Sequence, residues 1–183
     1  RPSERLIEQE SYAEYQKITE CQFKHVDLFI CETMSSVEEA CISTTVAKQT
    51  GLPVWTSFTV DEDNGELLRS GEPILDGAKA VLAKGASAIL INCSPPESIT
   101  QAVEKLVALG VEIGAMANGF VTTEPLKRNT TVDFLESRLE LTPQKYVTFT
   151  KDWLSKGAKI IGGCCEIGPQ HIAEINKIRE ERN

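Results

Sequence analysis

No stretch of this 183-residue chain approaches the roughly 18 uncharged apolar residues of a membrane-spanning helix, so no membrane partner is expected. Clustered Lys and Arg are missing too. Net charge is −8 and the pI is near 4.9, whereas nucleic acid binding needs a basic patch; no nucleic acid partner is expected. The chain has no GxGxxG loop, which speaks against a dinucleotide fold, and no Cys-x-x-Cys, which speaks against a thioredoxin-like redox pair. Neither of its two histidines, His25 and His171, falls at a zinc-like spacing with the cysteines; both read as surface or capping residues. No initiator Met or signal peptide precedes Arg1-Pro2-Ser3, which predicts a sequence that is trimmed or has lost an upstream segment. The six cysteines are spread through a chain that is 41% apolar, richer in core residues than small disulfide scaffolds. That composition predicts free thiols and a reducing, cytoplasmic setting, with Cys21, Cys31 and Cys41 as packing residues.

What is present is a regular alternation of capped helices and short apolar runs. A helix is predicted from Ser3 to about Lys24, then a strand Val26 to Cys31. Ser36 with Glu39 forms a capping box for a helix that runs to about Gln49 and stops at Gly51. Strands follow at Pro53 to Val60, Ala88 to Asn92, Val111 to Ala117 and Lys159 to Gly162. Pro73, Pro95-Pro96, Pro143 and Pro169 open the intervening and final helices. The elements Lys84-Gly85-Ala86, Leu109-Gly110-Val111 and Lys156-Gly157-Ala158 repeat one punctuation, a helix-ending glycine before a strand. The pattern predicts an α/β fold with parallel strands covered on both faces. It favours a (β/α) barrel over a dinucleotide fold, with five β/α units preceded by one helix where a full eightfold barrel takes roughly 250 residues. An incomplete barrel leaves two sheet edges to cover, so self-association or a complementing segment is expected. The acidic run Asp61-Glu62-Asp63 reads as solvated surface, and the polar stretch Thr122 to Leu141 as a loop shaping a ligand pocket or an oligomer contact.

Three cysteines stand where apolar runs stop: Cys93 after Ile89-Leu90-Ile91-Asn92, and Cys164-Cys165 after Ile160-Ile161-Gly162-Gly163. Three thiolates converging from two strand ends suit Zn2+, and a site with three protein ligands keeps its fourth position for chemistry. Glycines at 162 and 163 would let the backbone turn sharply enough for two successive sulfurs to reach one metal. The competing readings of Cys164-Cys165 are chance adjacency, a vicinal disulfide or a redox dithiol. Glu32 ends the first predicted strand, where a barrel presents functional groups; it reads either as an acceptor for a substrate ammonium or as a solvated residue before Ser35-Ser36. Asn118 sits at another strand end, orienting a sulfur or a substrate, or simply turning the chain before Gly119. Thr33 and Ser57 share that face.

The set Phe29-Ile30-Cys31-Glu32-Thr33, Ile91-Asn92-Cys93-Ser94-Pro95, Ala117-Asn118-Gly119 and Gly162-Gly163-Cys164-Cys165 resembles the zinc-dependent homocysteine S-methyltransferase family. The likeness covers essentially the whole chain in the right order, and the Gly-Gly-Cys-Cys element with an upstream Asn-Cys is its most specific part. The resemblance implies a (β/α)8 barrel, zinc held by Cys93, Cys164 and Cys165, substrate contacts from Glu32 and Asn118, and transfer of a methyl group to homocysteine to give methionine. It also implies a small methyl donor, with S-methylmethionine or S-adenosylmethionine ahead of betaine. Missing from the likeness is the family's N-terminal portion, with the first three strands, an acidic residue that contacts the substrate amine and loops that help hold its carboxylate. A second expectation therefore stands beside the enzyme: a truncated, catalytically silent barrel serving as a structural or interaction module.

Overall fold

The computed structural model describes residues 6–128 and 131–181. Helix α1 (Glu8–Gln22) leads into β1 (Phe29–Met34), α2 (Val37–Lys48), β2 (Val54–Phe58), α3 (Ile74–Ala83), β3 (Ala88–Asn92), α4 (Pro96–Leu106), β4 (Glu112–Met116), α5 (Pro143–Lys156), β5 (Ile160–Ile161) and α6 (Pro169–Glu181). The five strands form one parallel sheet in the order β1-β2-β3-β4-β5. A strictly sequential order with right-handed crossovers puts every connecting helix on the same side, and each helix from α1 to α6 packs on the next. The helices thus form a single layer on one face, while on the other Ser57 and Leu90 are buried as well.

Local chemistry accounts for most boundaries. Ser36 caps α2 by accepting from the Glu39 amide, and Thr142 caps α5 by accepting from the Lys145 amide; each satisfies an amide that has no partner inside its helix. Pro96 and Pro143 occupy first helical positions, where a missing N–H costs nothing. Pro73 instead stands just outside α3 as its cap residue, in extended conformation. The first strand starts three residues later than predicted and runs on to Met34. Its ladder begins at Phe29↔Val54, because Pro53 precedes β2 and leaves Val26–Leu28 unpartnered, and a bulge between Cys31 and Met34 carries it to Met34↔Phe58.

Residues alternate between two faces. Thr44 of α2 shares a 2.7 Å hydrogen bond with Thr56, which assigns the row Cys31, Thr56, Ile89 and Ile113 to the helical side. Phe58 follows on the same side, its ring against Gly77 of α3. Trp153 and Tyr146 of α5 are fully buried in this layer, edge to face with centroids 5.7 Å apart. The opposite face carries the row Ser57, Leu90, Gly114 and Ile160. Gly114 is needed there for space: a Cβ would lie 2.7 Å from Leu90 Cγ and 3.1 Å from Ile160 Cβ, so the neighbouring side chains close over the glycine. Cys31 is buried as expected, while Cys21 on α1 is exposed, contrary to its reading as a packing residue.

Two anchors fix the long segment between β4 and α5, which contains short 3-10 turns at Glu124–Arg128 and Val132–Phe134. Arg138 makes a bidentate pair with Glu97, both bonds at 2.8 Å, the geometry in which Arg and carboxylate match best. Glu62 accepts hydrogen bonds from the Thr122 hydroxyl and from the amide and hydroxyl of Thr123. This half-buried carboxylate corrects the reading of Asp61-Glu62-Asp63 as plain solvated surface. Burial raises its pKa, but the threonine donors and the charge of Arg69 outweigh that and hold it below the ordinary carboxylate value.

Candidate metal centre

Cys93, Cys164 and Cys165 meet at the carboxyl ends of the strands. Their sulfurs all lie within 4.8 Å of one another, with Cys93 to Cys165 at 4.0 Å and Cys164 to Cys165 at 3.8 Å. Zn–S bonds of about 2.3 Å at tetrahedral angles place sulfurs about 3.8 Å apart, so the thiols fit zinc. The Cys164–Cys165 spacing is far from the roughly 2.0 Å of a disulfide, and all six cysteines are free.

Backbone torsion aims these sulfurs. Among the described residues, the only non-glycines with positive φ are Thr33 (62°), inside β1's bulge, Cys93 (52°), directly after β3, and Glu166 (66°), five residues past β5. Such conformations are uncommon, and for a β-branched threonine they are outliers. Cys93 leaves β3 in this conformation. Cys164–Ile167 is a tight turn closed by the Ile167 amide on the Cys164 carbonyl at 3.1 Å, with Glu166 at the third position, where a type II turn demands positive φ. Gly162 and Gly163 do not supply the turn, since neither has a positive φ. Their role is room: a Cβ at Gly163 would lie 2.2 Å from Ile167 Cγ2. Tyr146 locks the arrangement from below, donating to the Gly162 carbonyl at 2.8 Å and accepting from the Ala117 amide at 3.0 Å.

The three thiols do not share charge equally. Hydrogen bonding from Cys93, ahead of the contributions of Cys165 and Asn92 and against the effect of burial, lowers Cys164 to about 6. Cys93 is pushed well above the ordinary thiol range because it donates to Cys164 and is buried; Cys165 is raised by burial and by the Cys164 charge. Within the cluster, Cys164 is the thiol whose ionisation its neighbours favour, and Cys93 and Cys165 are the ones they hold protonated.

Glu32 lies within β1, at its bulge, rather than at the strand's end. Its side chain is exposed and its Oε1 accepts from Asn92 Nδ2 at 3.3 Å, so Glu32 and the cysteine cluster share one neighbour. Asn118 is buried, its Oδ1 accepting from the Phe120 amide at 3.2 Å. Its Nδ2 has no hydrogen-bond partner. Backbone bonds from Asn118 to the Ser94 carbonyl and from Gly119 to the Cys165 carbonyl seat this residue between the two cysteine segments. Ser57 donates to Asn92 Oδ1 at 2.7 Å, and Thr33 also bonds Asn92. His171 caps α6, its Nδ1 accepting from the Gly168 amide, and takes no part in the site.

Two residues with a direct bearing on the site escaped the sequence reading. Arg69, on the loop after β2, donates to the Cys93 carbonyl at 2.8 Å and places a guanidinium beside the cluster. Asn92 was visible only as Cys93's neighbour. Hydroxyl and amide side chains carry no spacing signal, so only the folded contacts reveal them.

The homocysteine S-methyltransferase family profile matches residues 3–179. Betaine–homocysteine S-methyltransferase 1 of Mus musculus is 29% identical over 167 residues, covering 83% of this chain and 39% of the mouse protein. Homocysteine S-methyltransferase 1 of Arabidopsis thaliana is 27% identical, covering 85% of this chain and 47% of the plant protein. The chain thus spans less than half the length of these curated relatives. Among solved structures, the homocysteine methyltransferase MmuM of Escherichia coli in its apo form shares the fold with a TM-score of 0.74 at 22% identity, over 95% of this chain and 59% of that one. The same protein has been solved in a metallated form, with a TM-score of 0.68. Profile, relatives and fold converge, and the chain belongs to the homocysteine S-methyltransferase family.

Proposed function

We propose that this chain supplies the metal- and thiol-binding part of a zinc-dependent enzyme that moves a methyl group onto the sulfur of homocysteine to form methionine. The observation that carries the reading is the convergence of three cysteine sulfurs within 4.8 Å beside a carboxylate and an unpaired buried amide donor. Cys93, Cys164 and Cys165 would hold zinc. When bound, zinc supplies the positive charge that keeps an incoming thiol deprotonated, and the thiolate is the nucleophilic form.

The remaining chemistry falls to the protein's own groups. Glu32 offers an acceptor for the substrate ammonium, a charge-assisted bond stronger than a neutral one. Asn118 Nδ2 is a donor whose burial without a partner costs on the order of 1–3 kcal/mol; a bound substrate that accepts from it recovers that cost. Arg69 offsets the negative charge gathered at the sulfurs through its bond to the Cys93 carbonyl. The donor carries its methyl on a cationic centre and leaves as a neutral thioether or amine: S-methylmethionine or S-adenosylmethionine first, betaine as the alternative. In this reading the five β/α units are part of a (β/α)8 barrel in the whole protein.

The test is zinc content of the full chain purified under reducing conditions, alongside Cys93→Ser. About one zinc per chain, lost in the variant, followed by methyl transfer to homocysteine from one of the three donors, is the expected result. A folded protein that takes up no zinc would overturn the reading. A metal-free chain that captures a complementing barrel segment would establish the structural module instead; exposed Ile30 on edge strand β1 is the feature that favours it.

A further inference from the structure

Asn92 closes β3 with its side chain wholly buried, and every polar atom of its amide is engaged at the site. The Thr33 amide donates to Oδ1 at 3.1 Å and so fixes which way the side chain faces; the Ser57 hydroxyl donates to the same oxygen at 2.7 Å. The opposite corner, Nδ2, therefore faces Thr33 Oγ1 at 2.7 Å, Glu32 Oε1 at 3.3 Å and Cys164 Sγ at 3.9 Å. One amide thus grips the strained Thr33 at both its backbone and its hydroxyl. The same group reaches the carboxylate on one side and a metal-binding sulfur on the other.

The geometry points to Asn92 as a positioning residue that couples recognition of the substrate ammonium to the metal site, by holding Glu32 and Cys164 at a fixed separation. This rests on the reading of Glu32 as the ammonium acceptor and of Cys164 as a metal ligand. Thr33 is held left-handed (φ 62°) within β1's bulge between Cys31 and Met34, a strain that persists only where surrounding contacts over-determine it. Both contacts that over-determine it here come from Asn92. Without them the segment Glu32–Thr33 is free to relax to ordinary extended backbone, which would carry the Glu32 carboxylate away from the sulfurs. The consequence is specific: loss of Asn92 costs more for a thiol that carries an amine than for one that does not.

The experiment uses the full chain loaded with cobalt(II), whose sulfur charge-transfer absorption reports each added thiolate. Wild type and Asn92→Ser are titrated with cobalt, then with homocysteine and with 4-mercaptobutyrate, which keeps the thiol and carboxylate and lacks the amine. Wild type is expected to prefer homocysteine. In Asn92→Ser, homocysteine affinity falls about tenfold further than 4-mercaptobutyrate affinity, and cobalt affinity falls about tenfold, the usual cost of removing a residue that orients a metal ligand. If Asn92→Ser does not fold, the isosteric Asn92→Asp carries the same comparison, with its second oxygen repelling Glu32 and Cys164. Equal weakening of both thiols, an unchanged variant, or a wild type without preference for homocysteine overturns the inference. A wild type that binds no cobalt, or cobalt but neither thiol, sinks the proposed function and this inference with it.

Discussion

On the helical side of the sheet, Phe58, Ile89, Ile91 and Ile113 lie buried in regular rows, and the backbone there is ordinary parallel strand. At the carboxyl ends of the same strands, Thr33, Cys93 and Glu166 take left-handed conformations, Asn118 buries an Nδ2 donor with no partner, and three thiols crowd within 4.8 Å of one another. Between the two sheet edges, the parallel ladders and the helical-side apolar rows are satisfied within the chain. The strand ends hold features that cost stability until something binds. The contrast teaches where to look for function: the sheet's interior accounts for folding, and its rim carries the unpaid terms.

The largest effect expected on this comparison is at the rim. Cys164→Ser should abolish tight zinc binding, at least a hundredfold by chelator competition, while the metal-free protein still folds and loses only the stability that the Cys164 thiolate contributes; a loss of fold would mean the cluster is structural. Next comes pH. Cys164 titrates near 6 in the metal-free protein while Cys93 and Cys165 stay protonated above the ordinary thiol value. A pKa lowered by folding stabilises the native state above the unfolded value and loses that contribution as pH falls through about 6, so metal-free stability should decline through that window. Zinc uptake at pH 7–8 must then expel about two protons, giving an affinity that rises about a hundredfold per pH unit; a slope near zero would show that the thiols were already ionised.

At the helical layer, Trp153→Ala should cost about 3–5 kcal/mol in denaturant unfolding, the range for deleting a buried aromatic, because Trp153 is fully buried against Tyr146 and donates to Thr100 at 2.8 Å. Tyr146→Phe bridges the two regions. It strands the Ala117 amide and the Gly162 carbonyl, at about 1–3 kcal/mol for each polar group left buried, and should also weaken zinc binding; an effect on stability alone would separate the layer from the rim. The smallest change belongs to Glu166→Gly. Relief of positive φ, about 1 kcal/mol, is set against loss of the 2.8 Å bond from Ser137, leaving a net shift below about 1 kcal/mol.

The same division explains what was legible in the sequence. Helices ended by Gly51, Gly85 and Gly157, capped by Ser36 or opened by Pro143 announce themselves because these signals are local chemistry. The apolar run Ala88-Ile89-Leu90-Ile91 marks β3, and the β-branched and aromatic residues of Val54–Phe58 mark β2. The three clustered cysteines were legible because each set stands where an apolar run stops. Asn92, Arg69, Glu62 and Tyr146 were not, since their partners lie 16 to 61 residues away in the chain and depend on strand register. Nor does Thr or Cys signal positive φ, so the torsions that aim the site stayed hidden, and the glycines at 162 and 163 suggested a turn that Glu166 makes instead.

The most direct test of the central claim is X-ray absorption at the zinc edge of the reconstituted full chain, before and after homocysteine. The account predicts three sulfurs at about 2.3 Å with a lighter fourth ligand, becoming four sulfurs when homocysteine is added. A first shell of nitrogen and oxygen, or a three-sulfur shell that homocysteine leaves unchanged, would contradict it.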